Sequence, residues 1–191
     1  MNPFFSTRVL TLMSAGIAIN MTLGQVASLL KLPIFLDSIG SFVVALLAGP
    51  VAAMMTGLIT NLLWGLVSNP IAAAFAPVAA VIGLVAGLCA RAGWFRRLPQ
   101  AMLSSVVITL AVVIVATPIR TYLFGGVTGS GADLLVAYMH AMGNNLLESV
   151  ALTVLGANLA DKIVSALVAW FLIRQLPSRF RAQFSMVASA R

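Results

Sequence analysis

The sequence predicts an all-α integral membrane protein with six transmembrane helices. Of its 191 residues, 61% are hydrophobic and only 8% are charged, whereas soluble domains carry about 25% charged residues. The apolar residues form long runs, several of which approach the roughly 20 residues that a helix needs to cross a bilayer. Basic residues occur at alternate breaks between these runs, as in cytoplasmic loops. We therefore predict one six-helix domain over residues 1–176 and a disordered cytoplasmic tail over residues 177–191.

The charged residues are sorted between the two ends of the predicted bundle. One end carries eight basic residues, namely Arg8, Arg91, Arg96, Arg97, Arg174, Arg179, Arg181 and Arg191. The other end carries all the acids and three cations, namely Asp37, Asp133, Glu148, Asp161, Lys31, Arg120 and Lys162. The positive-inside rule places the arginine end and both termini in the cytoplasm of a multi-pass protein of the inner (cytoplasmic) cell membrane. Because the arginines flank apolar runs, we expect membrane lipid and no nucleic acid as partner.

Proline, glycine and polar residues divide the first half of the chain into four runs. A run over residues 8–29 predicts the first helix. The second run, over 38–48, ends at Gly49-Pro50, since proline disfavours helix at the residue before it and is well accepted at a helix start. The third and fourth runs cover residues 51–67 and 71–91.

The second half of the chain contains a fifth apolar run and two candidates for the last membrane crossing. The fifth run covers residues 100–123, with Pro118 near its end. Residues 132–156 and 158–176 are both long enough to cross, but two crossings would put the basic tail outside. The segment 132–156 also carries polar residues that are costly in lipid. We therefore predict that it is a polar outer-face helix, re-entrant or lying against the bundle, and that the last crossing covers residues 156–176.

Two polar stripes near the chain end are candidate binding-site elements. Asn158, Asp161 and Lys162 stand at i, i+3 and i+4 and share one helix face. Because a buried ionisable pair is costly in a membrane, it usually faces a cavity or partner; interfacial anchoring is the alternative. The second stripe consists of His140, Asn144 and Glu148, at i, i+4 and i+8. A solvated helix face would explain it equally well.

The outer end of the third helix supplies further candidates. Asn61 lies deep enough that its amide needs a hydrogen-bond partner, whereas Trp64 could belong to the interfacial aromatic belt. Asp37 lies in the loop before the second helix. Lys31 and Arg120 are expected to gate the site or to pair with acids. The predicted substrate-binding residues are thus Asp37, Asn61, Trp64, His140, Asn144, Glu148, Asn158, Asp161 and Lys162.

The same residues argue against chemistry by the chain itself. A single histidine, His140, two turns from Glu148, does not make a convergent metal site. No nucleophile, base and acid set or phosphate loop stands at a recognisable spacing. We therefore predict no enzyme activity, no metal and no cofactor.

One face of the first helix carries mainly small residues, including Ser14, Ala15 and Ala18. Such faces let helices approach closely. The stripe is therefore a predicted docking surface, within the chain or for another protein.

Several short motifs resemble the substrate-binding S components of energy-coupling factor (ECF) transporters, particularly the riboflavin-type group. They are Leu36-Asp37-Ser38-Ile39-Gly40, Leu47-Ala48-Gly49-Pro50, Thr56-Gly57-Leu58 and Asn61-Leu62-Leu63-Trp64-Gly65. The resemblance implies a six-helix vitamin-capturing subunit whose pocket opens outward under the first loop. It also implies that the small-residue face of the first helix packs on a transmembrane coupling subunit served by two ATPases. In this chain, that face offers Ser14 or Ala15 with Ala18 instead of a regular Ala-x-x-x-Ala pattern.

Together these observations predict a binding subunit for a small, flat, polar nutrient. The alternative is a self-sufficient, proton-coupled secondary transporter in which Asp161 or Glu148 binds the proton, since intramembrane carboxylates permit it.

Overall fold

A computed structural model of the protein describes residues 6–184, which form nine α-helices, one π-helical segment and no strand. The helices are α1 (Thr7–Leu29), α2 (Ile39–Ala48), α3 (Pro50–Val67), α4 (Pro70–Ala74), α5 (Ala76–Arg91), α6 (Leu98–Pro118), α7 (Asp133–Ala141), α8 (Leu146–Gln175) and α9 (Ser178–Arg181). The π-helical segment, Ile119–Leu123, continues α6. The tail predicted to be disordered begins with α9, and residues 185–191 lie outside the described part of the chain.

Four helices are long and apolar enough to cross a membrane. They are α1, α3, α6 with its π-helical extension, and α8. Two more apolar helices, α2 and α5, are shorter, with 10 and 16 residues. Large apolar side chains such as Leu66 and Ile114 are 85% and 74% exposed, which suits a surface in contact with lipid. The structure therefore supports a membrane-embedded helical protein, while the six crossings and their orientation stay predictions.

The last long helix begins ten residues earlier than predicted. It starts at Leu146 and continues through Gly156 without a break, so the predicted start at residue 156 is wrong. A capping box explains the earlier start: the Asn145 side chain accepts a hydrogen bond from the Glu148 backbone N–H at 2.9 Å, and the Glu148 carboxylate accepts one from the Asn145 backbone N–H at 3.4 Å. The polar segment 132–156 is therefore divided between α7, a turn and the first turns of α8.

The fourth predicted run is also divided. A break at Phe75 separates α4 from α5. Pro77 lies in the first turn of α5, where its missing N–H costs nothing. The break brings Phe75 to the end of the bundle that holds the site.

Helix α2 lies at the centre of the bundle and packs against α1, α3, α5 and α8. Most of its residues are buried. Its crossing with α1 is a backbone contact, because a Cβ added at Gly40 would lie 2.0 Å from the carbonyl oxygen of Gly16. This close approach fixes the start of α2, and with it the preceding loop, relative to α1.

Candidate functional site

A cavity of about 130 Å³ lies at the end of the bundle opposite most of the arginines. Helices α1, α3, α4, α5, α6 and α8 all contribute to its wall. Two loops complete it: the first loop, residues 30–38, and the second loop, residues 124–132. Its polar and aromatic lining includes Asp37, Asn61, Trp64, Asn69, Arg120, Asn158, Lys162, Phe35 and Phe75.

A buried ion pair on α8 forms one side of the site. The Lys162 Nζ donates to Asp161 Oδ2 at 2.5 Å and to Ser38 Oγ at 2.9 Å. The other Asp161 oxygen, Oδ1, accepts hydrogen bonds from the backbone N–H groups of Phe35 (3.1 Å) and Leu36 (2.7 Å). Both ionic side chains are almost completely buried. Lys162 therefore lines the cavity, while Asp161 lies behind the lining and binds the first loop.

These contacts hold the first loop in an unusual backbone conformation. Leu36 has a φ of +55°, a left-handed conformation that costs a non-glycine residue about 1–2 kcal/mol. The hydrogen bond from its N–H to Asp161 offsets this cost. The neighbouring Phe35 and Asp37 thereby line the cavity.

The start of α2 is capped by a residue of another helix. Ser38, its N-cap residue, makes no capping bond with its side chain, because its hydroxyl accepts from Lys162 instead. Asn20 of α1 caps the helix instead. Its Oδ1 accepts hydrogen bonds from the backbone N–H groups of Gly40 (2.7 Å) and Ser41 (3.4 Å). Its Nδ2 donates to the hydroxyls of Ser41 and Thr60. Asn20 thus joins α1, α2 and α3 beneath the site.

Trp64 forms an aromatic wall. Its indole N–H donates to Gln25 Oε1 at 3.1 Å. The ring packs directly over Gly24, where an added Cβ would lie 2.6 Å from the Trp64 Cη2. Since Trp64 is only 7% exposed, the structure places it inside the protein and not in an exposed interfacial belt.

A second ion pair organises the second loop. Arg120 is buried and its Nη2 contacts Asp133 Oδ1 at 2.5 Å. Asp133 also accepts hydrogen bonds from the backbone N–H groups of Thr128 and Gly129. Lys31 of the first loop donates to the Gly129 carbonyl at 2.7 Å. The two loops are thus joined to each other above the cavity.

Asp37 is the acid that faces the cavity most directly. Its Oδ1 lies 3.9 Å from the Lys162 Nζ, and its side chain is 23% exposed. Burial raises the pKa of the Asp37 carboxyl above its usual value, against the attraction of Lys162. Asp37 therefore retains a proton to a higher pH than a free aspartate does.

The structure brings five of the nine predicted substrate-binding residues to the cavity wall: Asp37, Asn61, Trp64, Asn158 and Lys162. Asp161 stands directly behind them. Of the two cations expected to gate or pair with acids, Arg120 pairs with Asp133, whereas Lys31 bonds a backbone carbonyl.

The stripe of His140, Asn144 and Glu148 does not reach the cavity. His140 Nδ1 lies 2.9 Å from the backbone oxygen of Asn144, and the Asn144 amide donates to the Met139 carbonyl. Glu148 belongs to the capping box of α8. These residues therefore shape the turn between α7 and α8, because the early start of α8 uses their polar groups locally.

The predicted docking residues Ser14, Ala15 and Ala18 are all exposed on α1. The Ser14 hydroxyl donates to the Leu10 carbonyl within the same helix. The described part of the chain therefore leaves this small-residue face uncovered.

Sequence reasoning missed Asn20, Asn69 and Phe75. Asn20 carried a usable signal, since an amide inside an apolar helix must find hydrogen-bond partners. Asn69 was visible only as part of a helix-ending turn. Phe75 became a site residue through the break before α5, which Pro77 signals.

The chain was compared with protein-family models, curated proteins and solved structures, and none of them matches it. The family resemblance therefore depends on the short motifs alone, and the description of the site depends on the structure of this chain alone.

Proposed function

We propose that the protein is the membrane-embedded substrate-binding subunit, or S component, of an ECF-type ABC importer. It captures a small vitamin-like or heterocyclic nutrient from the outer side of the inner cell membrane. The cavity carries this proposal, because all four long apolar helices and α5 line it and the two joined loops cover it. Small-molecule sites commonly combine mostly apolar walls with a few placed polar groups.

The charge distribution supports an outward-facing site. The cavity lies among the acids, while most arginines lie at the opposite end of the helices. With the arginine end in the cytoplasm, as the positive-inside rule requires, the two loops face the outside. Six alternating crossings, with α2 and α5 as the two short ones, give this arrangement and place both termini inside.

The size of the cavity favours a solute with one ring. A cavity of about 150 Å³ holds a benzene molecule, and this one measures about 130 Å³. A three-ring solute of the riboflavin type would require the loops to move apart. Phe35, Trp64 and Phe75 supply aromatic surface against which a flat ring packs.

The polar lining favours a solute that carries an N–H donor. The Asn61 Oδ1 is buried and has no hydrogen-bond partner among the described residues. Such an unsatisfied acceptor costs about 1–3 kcal/mol, which a donor on the solute would recover. Asp37 offers a second acceptor in the same wall.

Energy for transport would come from partner subunits. The sequence contains no phosphate-loop motif. We propose that the face of Ser14, Ala15 and Ala18 docks on a transmembrane coupling subunit, which two ATPases serve. Small residues there would allow the close helix contact that such docking needs.

The second candidate, a proton-coupled secondary transporter, has less support. Both oxygens of Asp161 are already engaged, by Lys162 and by two backbone N–H groups. Binding a proton there would break a buried ion pair. Glu148 lies at an exposed helix start, away from the cavity.

Affinity purification from native membranes tests the proposed assembly. We expect a coupling subunit and two ATPases to co-purify with the wild-type chain. Ala18→Leu should remove them, because the larger side chain blocks close approach at the α1 face. Ala160→Leu, at an exposed position of α8, is the matched control and should retain them. Equal recovery with both variants would contradict the docking face, and ATP-independent uptake into vesicles would favour the secondary transporter.

A further inference from the structure

A second cleft, of about 200 Å³, lies at the arginine end of the molecule. It is formed by the last turns of α8, the loop between α5 and α6, the end of α2, and α9. Its lining consists of Leu46, Phe95, Arg96, Trp170, Ile173, Arg174 and Arg181. This arginine cleft shares no lining residue with the cavity beneath the two loops, which is called the outward cavity below.

Among the residues that the structure describes, no acidic side chain forms an ion pair with Arg174 or Arg181 of the arginine cleft. The chain contains only four acidic residues. Three of them surround the outward cavity, and Glu148 begins α8. The acid nearest along α8, Asp161, is 13 residues before Arg174, or about 20 Å at 1.5 Å per residue, and it is already paired with Lys162.

The arginine cleft also holds buried N–H donors that lack acceptors. Trp170 Nε1 and Arg181 Nε are both buried without a hydrogen-bond partner among the described residues. The Arg174 guanidinium lies 3.9 Å from the centre of the Trp170 ring and donates to the Arg96 carbonyl. Packing on the indole holds Arg174 in place, as cation–π contacts do. An anion with several oxygen acceptors would satisfy these donors.

We propose that the arginine cleft binds the phosphodiester headgroup of an anionic phospholipid. Arginine forks match phosphate oxygens in geometry and charge, and basic pockets on the cytoplasmic side of membrane proteins bind such headgroups. The apolar wall formed by Leu46, Phe95 and Ile173 suits the glycerol and upper acyl region of a lipid. A soluble anion would make no use of that wall.

The surface beside the arginine cleft favours a lipid as the occupant. Phe171 follows the cleft residue Trp170 on α8 and is 58% exposed. A lipid with its phosphate in the cleft would lay an acyl chain along this side chain. Binding would also bridge α8 and α9, and it does not depend on the function proposed for the outward cavity.

Lipid titration followed by native mass spectrometry tests the proposal. The full chain in detergent micelles is titrated separately with phosphatidylglycerol and phosphatidylcholine. We expect phosphatidylglycerol to bind about tenfold more tightly than phosphatidylcholine. A tenfold difference in affinity is of the size that one charge-assisted hydrogen bond contributes. The double variant Arg174→Gln/Arg181→Gln should lose this preference. The matched control Arg8→Gln/Arg91→Gln, at two exposed arginines of the same end, should retain it.

Two further arms make the result decisive. Trp170→Phe keeps the ring under Arg174 but removes one N–H donor, so it should weaken phosphatidylglycerol binding severalfold while the thermal unfolding curve stays close to that of the wild type. This variant also serves if the double variant does not fold. Equal losses in both double variants, or no lipid preference in the wild type, would overturn the proposal. Displacement of phosphatidylglycerol by millimolar inorganic phosphate would also overturn it, in favour of a site for free anions.

Discussion

Replacing Asp161 with asparagine is expected to lower the free energy of unfolding by about 3 kcal/mol, because the buried Lys162 ammonium loses its closest counter-charge and keeps only the Asp37 carboxylate at 3.9 Å. Lys162 is 1% exposed, and Asp161 is its closest partner. The change removes the negative charge with almost no change in size, so cavity formation does not contribute to the loss. Thermal or denaturant unfolding in detergent micelles measures the effect.

Two variants define what the Asp161 result means. Glu148→Gln removes a carboxylate at the exposed start of α8 and should cost about 1 kcal/mol or less. The double variant Asp161→Leu/Lys162→Met removes both charges and should regain much of the stability, since apolar replacements of a buried pair are often tolerated. Leucine at position 161 cannot accept hydrogen bonds from the backbone N–H groups of Phe35 and Leu36. The first loop of the double variant should therefore remain more mobile than that of the wild type. A fully stable Asp161→Asn variant would contradict the importance of the pair.

The second large effect is expected at Asn20. Asn20→Leu keeps the size of the side chain but removes the acceptor for two N–H groups at the start of α2. Leaving a buried donor without a partner costs about 1–3 kcal/mol, so we expect a loss of about 2–4 kcal/mol for this substitution. Thermal unfolding in micelles provides the measurement.

The matched control for Asn20 is another helix-capping asparagine. Asn145→Ala removes the cap of α8 at an exposed helix start and should cost about 1 kcal/mol. If Asn20→Leu cost no more than Asn145→Ala, water would be satisfying the start of α2. The hydrogen bonds from the start of α2 to Asn20 of α1 would then contribute little to the stability of the site.

The helices could be predicted where they depend on local chemistry. Apolar runs ending at Gly49-Pro50 and at Asn69-Pro70 match α2 and α3 within about two residues, because proline acts on its immediate neighbours. The start of α8 was missed because Asn145 was weighed only as a costly polar group and Glu148 as a binding-site or proton-binding residue, and neither as part of a helix cap. In the structure they form a capping box, whose residue types and spacing were both visible in the sequence.

The candidate site could be predicted only in part, because its residues come from many helices. Helical spacing placed Asn158 and Lys162 on one face of the last helix, and both side chains line the cavity in the structure. Spacing along one helix could not show that Asp161 would bind the first loop, 125 residues away in sequence. Nor could it show that Asn20 would cap α2 from α1. Such contacts depend on tertiary packing, to which Gly16 and Gly40 contribute by letting two backbones meet.

Identification of the small molecules that the purified protein carries tests most directly whether the cavity beneath the two loops holds a solute. Wild-type protein purified from cells is denatured, and the released small molecules are identified by mass spectrometry. Gly24→Leu should carry none, because the new side chain would collide with Trp64 and Asp37. Gly156→Leu, at a helix position with nothing within 4 Å of an added Cβ, should carry the same solute as the wild type. We predict a single-ring compound with an N–H donor in the wild type and in Gly156→Leu alone; the same compound in Gly24→Leu, or none in the wild type, would contradict the account.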